Sequence, residues 1–310
     1  MINIKKINYL DIIDEFSLKH HLDWLNNEYL AERNGRSDIF TNLDIFEENT
    51  RSKNKIYKNF DLFNVVNEIK EDTVILVGLY LELLKYWGEI EALKYILYTY
   101  SNRYKDNKVI FYWNHDTDFA KYNYLTESLN NAIILNYNTS KKTKNDIILP
   151  FWTYDINDNV KVLPEKKNFC NMVCTINNTT RLKLFNVFAN KPGYIVGQGL
   201  PYDQFKDIIM SSVFTFCPRG IGLSSYRFFE TMRLGSIPVL FADQVVLPYE
   251  DEINYNEMII RIPESKCNDF CYINDILHNT DYNMLLNNIL KNVKYFRLDG
   301  IQEYIYRKIK

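Results

Sequence analysis

Short apolar runs alternate with amphipathic segments through the second half of the chain. Runs rich in β-branched and aromatic residues predict strands at 171–176, 194–199, 212–217, 237–242 and 258–263. Apolar residues at helical spacing predict intervening helices over about 180–189, 201–210 and 225–234. Thr179 or Thr180 is the predicted cap of the first of these helices, and the tail is predicted to be helical from about Asp281. This β-α-β-α-β-α-β order is typical of a doubly wound parallel sheet.

The first half of the chain shows a weaker form of the same pattern. Strands are predicted at 108–113, 132–137 and 146–151, with a helix over 88–104. The apolar segment 73–84 fits either a buried strand or the start of a helix, because its periodicity does not separate the two. Residues 1–70 are predicted to be mainly helical and irregular, with an amphipathic helix around 9–16.

A polar stretch with clustered charges and a proline, Tyr154–Asn168, is the predicted linker between two domains. A chain of 310 residues is long for one hydrophobic core, which also favours two domains. We therefore predict an α/β protein with an N-terminal domain at 1–157 and a C-terminal Rossmann-like domain at 158–310. The last helix is free in this scheme to pack back on the N-terminal domain.

Composition indicates which partners and which cellular location to expect. The net charge of −2 supplies no overall field for nucleic acid or an anionic membrane, so no nucleic-acid partner is expected. The first residues lack a signal-peptide core, and no apolar run approaches the roughly 18 residues of a membrane span, so a cytoplasmic protein without a transmembrane segment is expected. The odd count of 5 cysteines favours free thiols over a disulfide framework.

The stretch CPRGIGLSSYRFFETMRLGSIPVLFAD, Cys217–Asp243, carries the candidate chemistry. A loop containing Arg219 and Gly220 follows a predicted strand, and open α/β sheets bind ligands at the carboxyl ends of their strands. Ser224 or Ser225 is placed to cap the next helix, whose N-terminus favours phosphate.

Two further side chains complete the predicted pocket. Arg227 adds a second guanidinium suited to phosphate oxygens, and Glu230 lies three residues later on the same helix face. A carboxylate one turn beyond a diphosphate is placed to accept hydrogen bonds from ribose hydroxyls. The competing interpretation is an ordinary surface ion pair between Arg227 and Glu230. The glycine spacing matches neither a dinucleotide fingerprint nor a P-loop.

Residues 211–251 resemble the signature of the exostosin family of glycosyltransferases. The resemblance lies in two segments, SSVFTFCPRGIGLSSYRFFETMRLGSIPVLFAD (211–243) and VLPYED (246–251). That family typically shows a strand, Cys-Pro-Arg-Gly, a Ser-x-Arg, a helix with Glu, and then Gly-x-(Ile/Val)-Pro-Val. NNTTRLKLF (177–185) resembles the family's upstream strand–turn–Arg element, and through it Arg181 joins the expected site.

The resemblance implies a GT-B fold, in which two Rossmann-like domains face a central cleft. It implies an inverting transfer of a sugar from a nucleotide-sugar donor, a UDP-sugar being favoured, to a hydroxyl of a glycan or glycoprotein acceptor. It implies donor binding by the C-terminal domain, no cofactor and no obligatory divalent metal. The expected donor-binding residues are Arg181, Arg219, Gly220, Ser225, Arg227 and Glu230.

Inverting transfer needs a base, which we expect from the N-terminal domain across the cleft. His115 and Asp116 follow the predicted strand KVIFYW and are the favoured candidates, against the alternative of a polar surface turn. Glu82 and Asp155 remain possible. Asp116 and Asp118 also spell Asp-x-Asp, the metal-binding motif of the GT-A glycosyltransferase fold, which is one alternative function. A non-catalytic module that binds nucleotide sugars or glycans is another alternative function. A methyltransferase or a kinase agrees poorly with the two arginines, Arg219 and Arg227, which suit a diphosphate better.

Overall fold

A computed structural model describes residues 1–7, 15, 62–78, 88–113, 116–151 and 164–310. Within these ranges the chain forms two parallel β-sheets. The first contains β1 (Ile2–Lys6), β2 (Phe63–Val65), β3 (Val74–Gly78), β4 (Val109–Trp113), β5 (Ala132–Asn136) and β6 (Asp146–Ile148). The second contains β7 (Asn168–Val173), β8 (Tyr194–Gly197), β9 (Ser212–Pro218), β10 (Ile237–Phe241) and β11 (Ile260–Arg261).

Both sheets have the same doubly wound topology. The first has the order β2-β1-β3-β4-β5-β6 and the second the order β11-β10-β9-β7-β8, with every described pairing parallel. In each sheet, successive strands are first added on one side of the starting strand and then on the other. At this topological switch point the loops that leave two neighbouring strands run to opposite faces of the sheet. In the second sheet this point lies between β7 and β9.

Helices cover the sheets. They are α1 (Glu89–Arg103), α2 (Asn123–Thr126), α3 (Thr179–Phe188), α4 (Tyr202–Met210), α5 (Tyr226–Arg233), α6 (Phe270–His278), α7 (Tyr282–Asn292) and α8 (Leu298–Ile309). In the part of the chain that the structure describes, every helix is too short or too polar to serve as a membrane span.

The central strands of the first sheet, β3 and β4, are buried on both faces, which explains their continuous apolar sequences. Along β3, Ile75 and Val77 pack in a cluster with α1, whereas Val74 and Leu76 join a larger cluster that continues into the second domain. Helix α8 closes this second face. Its Tyr306 ring meets Phe63 edge-on at 6.2 Å, and the Ile309 carbonyl accepts a hydrogen bond from Lys108 Nζ.

The predicted fold class, two Rossmann-like α/β domains of GT-B type, is confirmed. The chain leaves the first sheet at Ile148 and enters the second at Asn168. Loops at the carboxyl ends of the two sheets face each other: the Thr139 carbonyl, after β5, accepts a hydrogen bond from the Val246 amide, after β10, at 3.0 Å. The GT-A alternative is therefore wrong for the fold.

Several sequence-based expectations need correction. Residues 1–70 contain strands β1 and β2, which the sequence did not predict because only Ile4 of β1 is fully buried, and the apolar run is short. The 73–84 segment begins as a strand, β3. Helix α6 was also missed. The proposed helix around 9–16 lies almost wholly outside the described residues.

Candidate active site

The carboxyl ends of β7 and β9 lie side by side at the switch point of the second sheet. The loop after β7 leads to α3, and the loop after β9, residues 219–225, leads to α5. Parallel sheets bind ligands at this place because the two loops leave a crevice between them. Most of the sequence-predicted site residues lie here.

Arg181, on α3, ties these two loops together. Its Nε donates to the Arg219 carbonyl at 3.0 Å, Nη1 to the Thr175 carbonyl at 2.8 Å and Nη2 to the Pro218 carbonyl at 3.4 Å. The side chain is buried, with the residue 8% exposed. Its donors are thus directed at the backbone, and Arg181 shapes the pocket rather than projecting into it.

Asn178 reinforces the same connection and caps α3. Its Nδ2 donates to the carbonyls of Arg219 and Gly220, each at 2.9 Å, while its Oδ1 accepts from the Arg181 amide at 2.9 Å. The expected cap at Thr179 or Thr180 is wrong by one or two residues. Thr180 instead donates its hydroxyl to Glu264 Oε2 at 2.9 Å.

The Arg219 guanidinium pairs with an acid that sequence reasoning missed. Its Nε lies 3.0 Å from Glu264 Oε2, and its Nη1 donates to the Ile221 carbonyl at 3.4 Å. Glu264 follows β11, and Asp243, after β10, accepts from the Glu264 amide at 2.9 Å. The signal that could have found Glu264 is its place directly after the predicted strand MIIRIP.

Arg227 and Glu230 lie one turn apart on α5, with Nε and Oε2 separated by 3.7 Å, which is too long for a hydrogen bond. Their side chains are only 15% and 9% exposed, so the surface ion-pair interpretation is wrong. The Arg227 guanidinium lies 4.0 Å above the Phe205 ring. Among the described residues, its Nε and Nη1 have no hydrogen-bond partner although they are buried.

Burial dominates the electrostatics of this pair. It lowers the pKa of Arg227, and the nearby positive charge of Arg181 lowers it further. It raises the pKa of the Glu230 carboxyl, against the opposing charges of Arg227 and Arg233. Buried donors without partners are rare in folded proteins. An anionic ligand would supply the acceptors that Arg227 lacks.

Ser225 occupies the N-cap position of α5, but its hydroxyl makes no capping hydrogen bond. The first-turn amides are therefore not capped by this side chain, which suits an anion at the helix N-terminus. Gly220 needs neither a left-handed backbone nor close approach, since an added Cβ would meet only ordinary contacts at 3.5 Å and beyond.

One candidate base, Asp116, lies on the opposite side of the cleft, in the loop after β4. Asp116 is exposed, and its carbonyl accepts a hydrogen bond from Asn138 Nδ2. Tyr226, at the start of α5, lies near charges on both sides of the cleft. The side chain is about half exposed; burial of the remainder raises the pKa of its phenol, and the negative charges of Asp116 and Glu230 raise it further. His115, Glu82 and Asp155 lie outside the described residues.

Asp118 has a local structural role. Its Oδ1 accepts from the amides of Ala120 at 3.0 Å and Ser140 at 2.8 Å, and its Oδ2 accepts from the Ser140 hydroxyl. It caps the short 3₁₀-helix Phe119–Tyr122. Among the described residues there is no group of three or more His, Cys, Asp or Glu able to hold a metal ion. The cysteines are free thiols, as expected, and only Cys271 is exposed.

These features define a two-domain protein of GT-B type, with Arg181, Arg219 and Arg227 on the loops and helices that follow β7 and β9 of its second sheet. A family model, the Exostosin GT47 domain, matches residues 109–277, more than half of the chain. The chain therefore belongs to the exostosin GT47 family, and the resemblance noted in the sequence is confirmed.

Individual relatives match over shorter stretches. The chain is 36% identical to the exostosin-1 homolog of Caenorhabditis elegans over 61 residues, 20% of this chain and 16% of that protein. It is 32% identical to a probable glucuronosyltransferase of Oryza sativa subsp. japonica over 84 residues, 27% of this chain and 20% of that protein. The chain thus aligns with only a small part of each relative's length.

Among solved structures, the crystal structure of TarM covers 78% of this chain and 55% of its own, with a TM-score of 0.44 and 12% sequence identity. The fold assignment rests on the two sheets of this chain.

Proposed function

We propose that this chain is an inverting glycosyltransferase that moves a sugar from a nucleotide-sugar donor, a UDP-sugar, to a hydroxyl of a glycan or glycoprotein. Family membership supports transfer of a sugar. The observation that carries the donor assignment is the buried Arg227 guanidinium, beside the buried Glu230: its Nε and Nη1 have no hydrogen-bond partner in the part of the chain that the structure describes.

The donor's diphosphate would lie between Arg227 and the N-terminus of α5, where the first-turn amides and the guanidinium supply donors in a largely buried site. Glu230, one helical turn further on, would accept hydrogen bonds from ribose hydroxyls. Burial raises the pKa of the Glu230 carboxyl, and hydrogen bonds donated by these hydroxyls would oppose that shift by stabilising the charged carboxylate.

The transfer itself needs a proton acceptor on the other side of the cleft. Asp116, or its sequence neighbour His115, would take the proton of the acceptor hydroxyl as its oxygen attacks the anomeric carbon. The bond from that carbon to the diphosphate oxygen then breaks, and the nucleoside diphosphate leaves with the electron pair. Positive charge in the donor pocket stabilises this leaving group, and attack from the opposite face inverts the anomeric carbon.

The names of two relatives, a probable glucuronosyltransferase and a probable beta-1,4-xylosyltransferase of Arabidopsis thaliana, suggest which donors to test first. The panel should contain UDP-xylose, UDP-galactose, UDP-glucuronic acid and UDP-N-acetylglucosamine, assayed for donor hydrolysis. Titration calorimetry with UDP, ADP and GDP measures the preference for the nucleobase.

The matched variants are Arg227→Ala and Arg227→Lys, with Arg307→Ala as the control. Arg307 is an exposed arginine on α8, paired with Glu252 and Glu303. Hydrogen bonds to charged groups contribute about 1.5–3 kcal/mol, so loss of the guanidinium should weaken UDP binding by about ten- to 100-fold. Arg227→Lys should recover only part of the affinity, because an ammonium does not reproduce the planar donor pair.

Wild-type UDP affinity in Arg227→Ala would refute the donor assignment. UDP binding by the wild type without hydrolysis of any donor, and without transfer, would favour the non-catalytic binding module instead.

A further inference from the structure

The segment after β5 is where the first domain contacts the loop of the donor pocket. Asn138 lies at the centre of this contact and is only 1% exposed. Its Oδ1 accepts from the backbone amides of Leu223 at 2.7 Å and Ser224 at 3.0 Å, both in the loop after β9. Its Nδ2 donates to the Asp116 carbonyl, in the loop after β4.

The partners fix the orientation of this amide group. Backbone N–H groups only donate, so the atom facing Leu223 and Ser224 must be the oxygen, and a carbonyl only accepts, so the atom facing Asp116 must be the nitrogen. The buried Asn138 side chain therefore connects the loop after β4, which holds the candidate base Asp116, with the loop after β9, which leads into α5. These two loops belong to different domains.

Gly222 shows how closely the loops approach. A Cβ added there would lie 2.4 Å from Asn138 Nδ2 and 2.8 Å from the Asp116 carbonyl oxygen. Gly222 does not have a positive φ, so its backbone conformation is open to any residue. Glycine at this position allows the loops of the two domains to approach closely; it is not required by the backbone conformation of a turn.

We propose that Asn138 is a positioning residue that sets the distance between the Asp116 loop and the donor pocket across the cleft. This inference rests on the proposed function. A reaction between bound donor and acceptor depends on their relative placement, and a displacement of 1 Å can lower the rate by about 100-fold. Asn138 supplies that placement without touching either substrate. The donor pocket itself, Arg227 with Glu230, lies wholly within the second domain.

The test compares Asn138→Ala, Asn138→Asp and Gly222→Ala with two controls. Asn288→Ala makes the same change on α7, where the Asn288 side-chain amide donates to the Glu257 carbonyl at 3.0 Å. Gly197→Ala makes the same change where an added Cβ meets no described atom within 4 Å and φ is not positive. The readouts are UDP affinity by calorimetry, kcat for hydrolysis of the UDP-sugar that the wild type uses, and hydrogen exchange at the Leu223 and Ser224 amides.

In Asn138→Ala we expect faster exchange at both amides, unchanged UDP affinity and a kcat about 100-fold lower. Asn138→Asp keeps an oxygen for the two amides but loses the donor to Asp116, so kcat should fall while the exchange stays slow. Gly222→Ala should lower kcat by forcing the loops apart, with UDP affinity preserved. Both controls should match the wild type.

Two results would overturn the positioning role: wild-type kcat in all three variants, or a loss of UDP affinity in step with kcat, which would assign Asn138 to the integrity of the donor pocket. A wild-type protein that binds UDP but hydrolyses and transfers no donor refutes the proposed function, and the positioning role falls with it. Active wild type with unaffected variants refutes only the role of Asn138.

Discussion

Arg219 and Glu264 form an ion pair at the carboxyl edge of the second sheet, with Nε and Oε2 3.0 Å apart. The same Glu264 oxygen accepts from the Thr180 hydroxyl, and the Glu264 backbone amide donates to Asp243. One carboxylate thus connects the start of α3 with the loops after β9, β10 and β11. The orientation of Arg219 is therefore set by a residue 45 positions away in the sequence.

Replacing Glu264 should weaken donor binding indirectly. In Glu264→Gln the charge that holds the Arg219 guanidinium is lost, and we expect UDP affinity to fall by about tenfold, the value of one charge-assisted hydrogen bond. Titration calorimetry with UDP measures this. The control is Glu250→Gln, which removes an exposed ion pair with Arg261 at 3.5 Å. Equal affinity in Glu264→Gln and wild type would mean that Arg219 plays no part in holding the donor.

Arg181→Ala should lower the free energy of unfolding, while its effect on UDP binding should be indirect. Removal of the guanidinium leaves the carbonyls of Thr175, Pro218 and Arg219 without these donors in a buried site, at a cost of about 1–3 kcal/mol in the free energy of unfolding. Urea denaturation measures the change, with Arg307→Ala as an exposed arginine control. Undiminished stability combined with lost UDP binding would instead make Arg181 a direct ligand of the donor.

The stability contributed by Glu230 should depend on pH. Burial raises the pKa of its carboxyl above the ordinary value of 4.5. Between the ordinary pKa and the raised pKa of the folded state, the folded protein binds more protons than the unfolded chain. The contribution of Glu230 to the free energy of unfolding therefore falls as pH rises through this interval. The wild type should therefore lose stability relative to Glu230→Gln above about pH 4.5, and the difference should level off above the raised pKa.

Urea denaturation of both proteins in the absence of ligand, from about pH 4 to about pH 8, measures this difference. A difference that grows in favour of the wild type as pH rises would show that the Arg227 charge outweighs burial and depresses the pKa of Glu230. The same Glu230→Gln variant should lose UDP affinity, since a neutral amide accepts hydrogen bonds from ribose less strongly than a carboxylate.

Activity should persist in excess EDTA. The expectation rests on Asp118, whose two oxygens accept hydrogen bonds from Ala120 and Ser140 and so serve the local fold rather than a cation. Hydrolysis of the donor that the wild type uses is measured with and without EDTA. Complete loss of activity that manganese restores would contradict the prediction and return Asp116 and Asp118 to consideration as metal ligands.

The strands and helices of the second domain were largely predictable, because β9, α5 and β10 each have an unambiguous apolar pattern and follow one another closely. Strand β1 was not, since its pairing with β2 depends on residues about 60 positions apart, with Asn3 opposite Asn64. Contacts of that separation leave no trace in local periodicity.

The candidate site divides in the same way. The sequence alone determined that Arg227 and Glu230 share a face of α5 and that a glycine-containing loop joins β9 to that helix, because both facts follow from helical spacing and strand order. Only the tertiary structure decided that Arg227 is buried, with no acceptor for its Nε and Nη1 among the described residues, that Arg219 turns to Glu264, and that Asn138 connects two loops of different domains. Each of these depends on which distant segments the packing of two sheets brings together, and the energy of such contacts is not encoded in neighbouring residues.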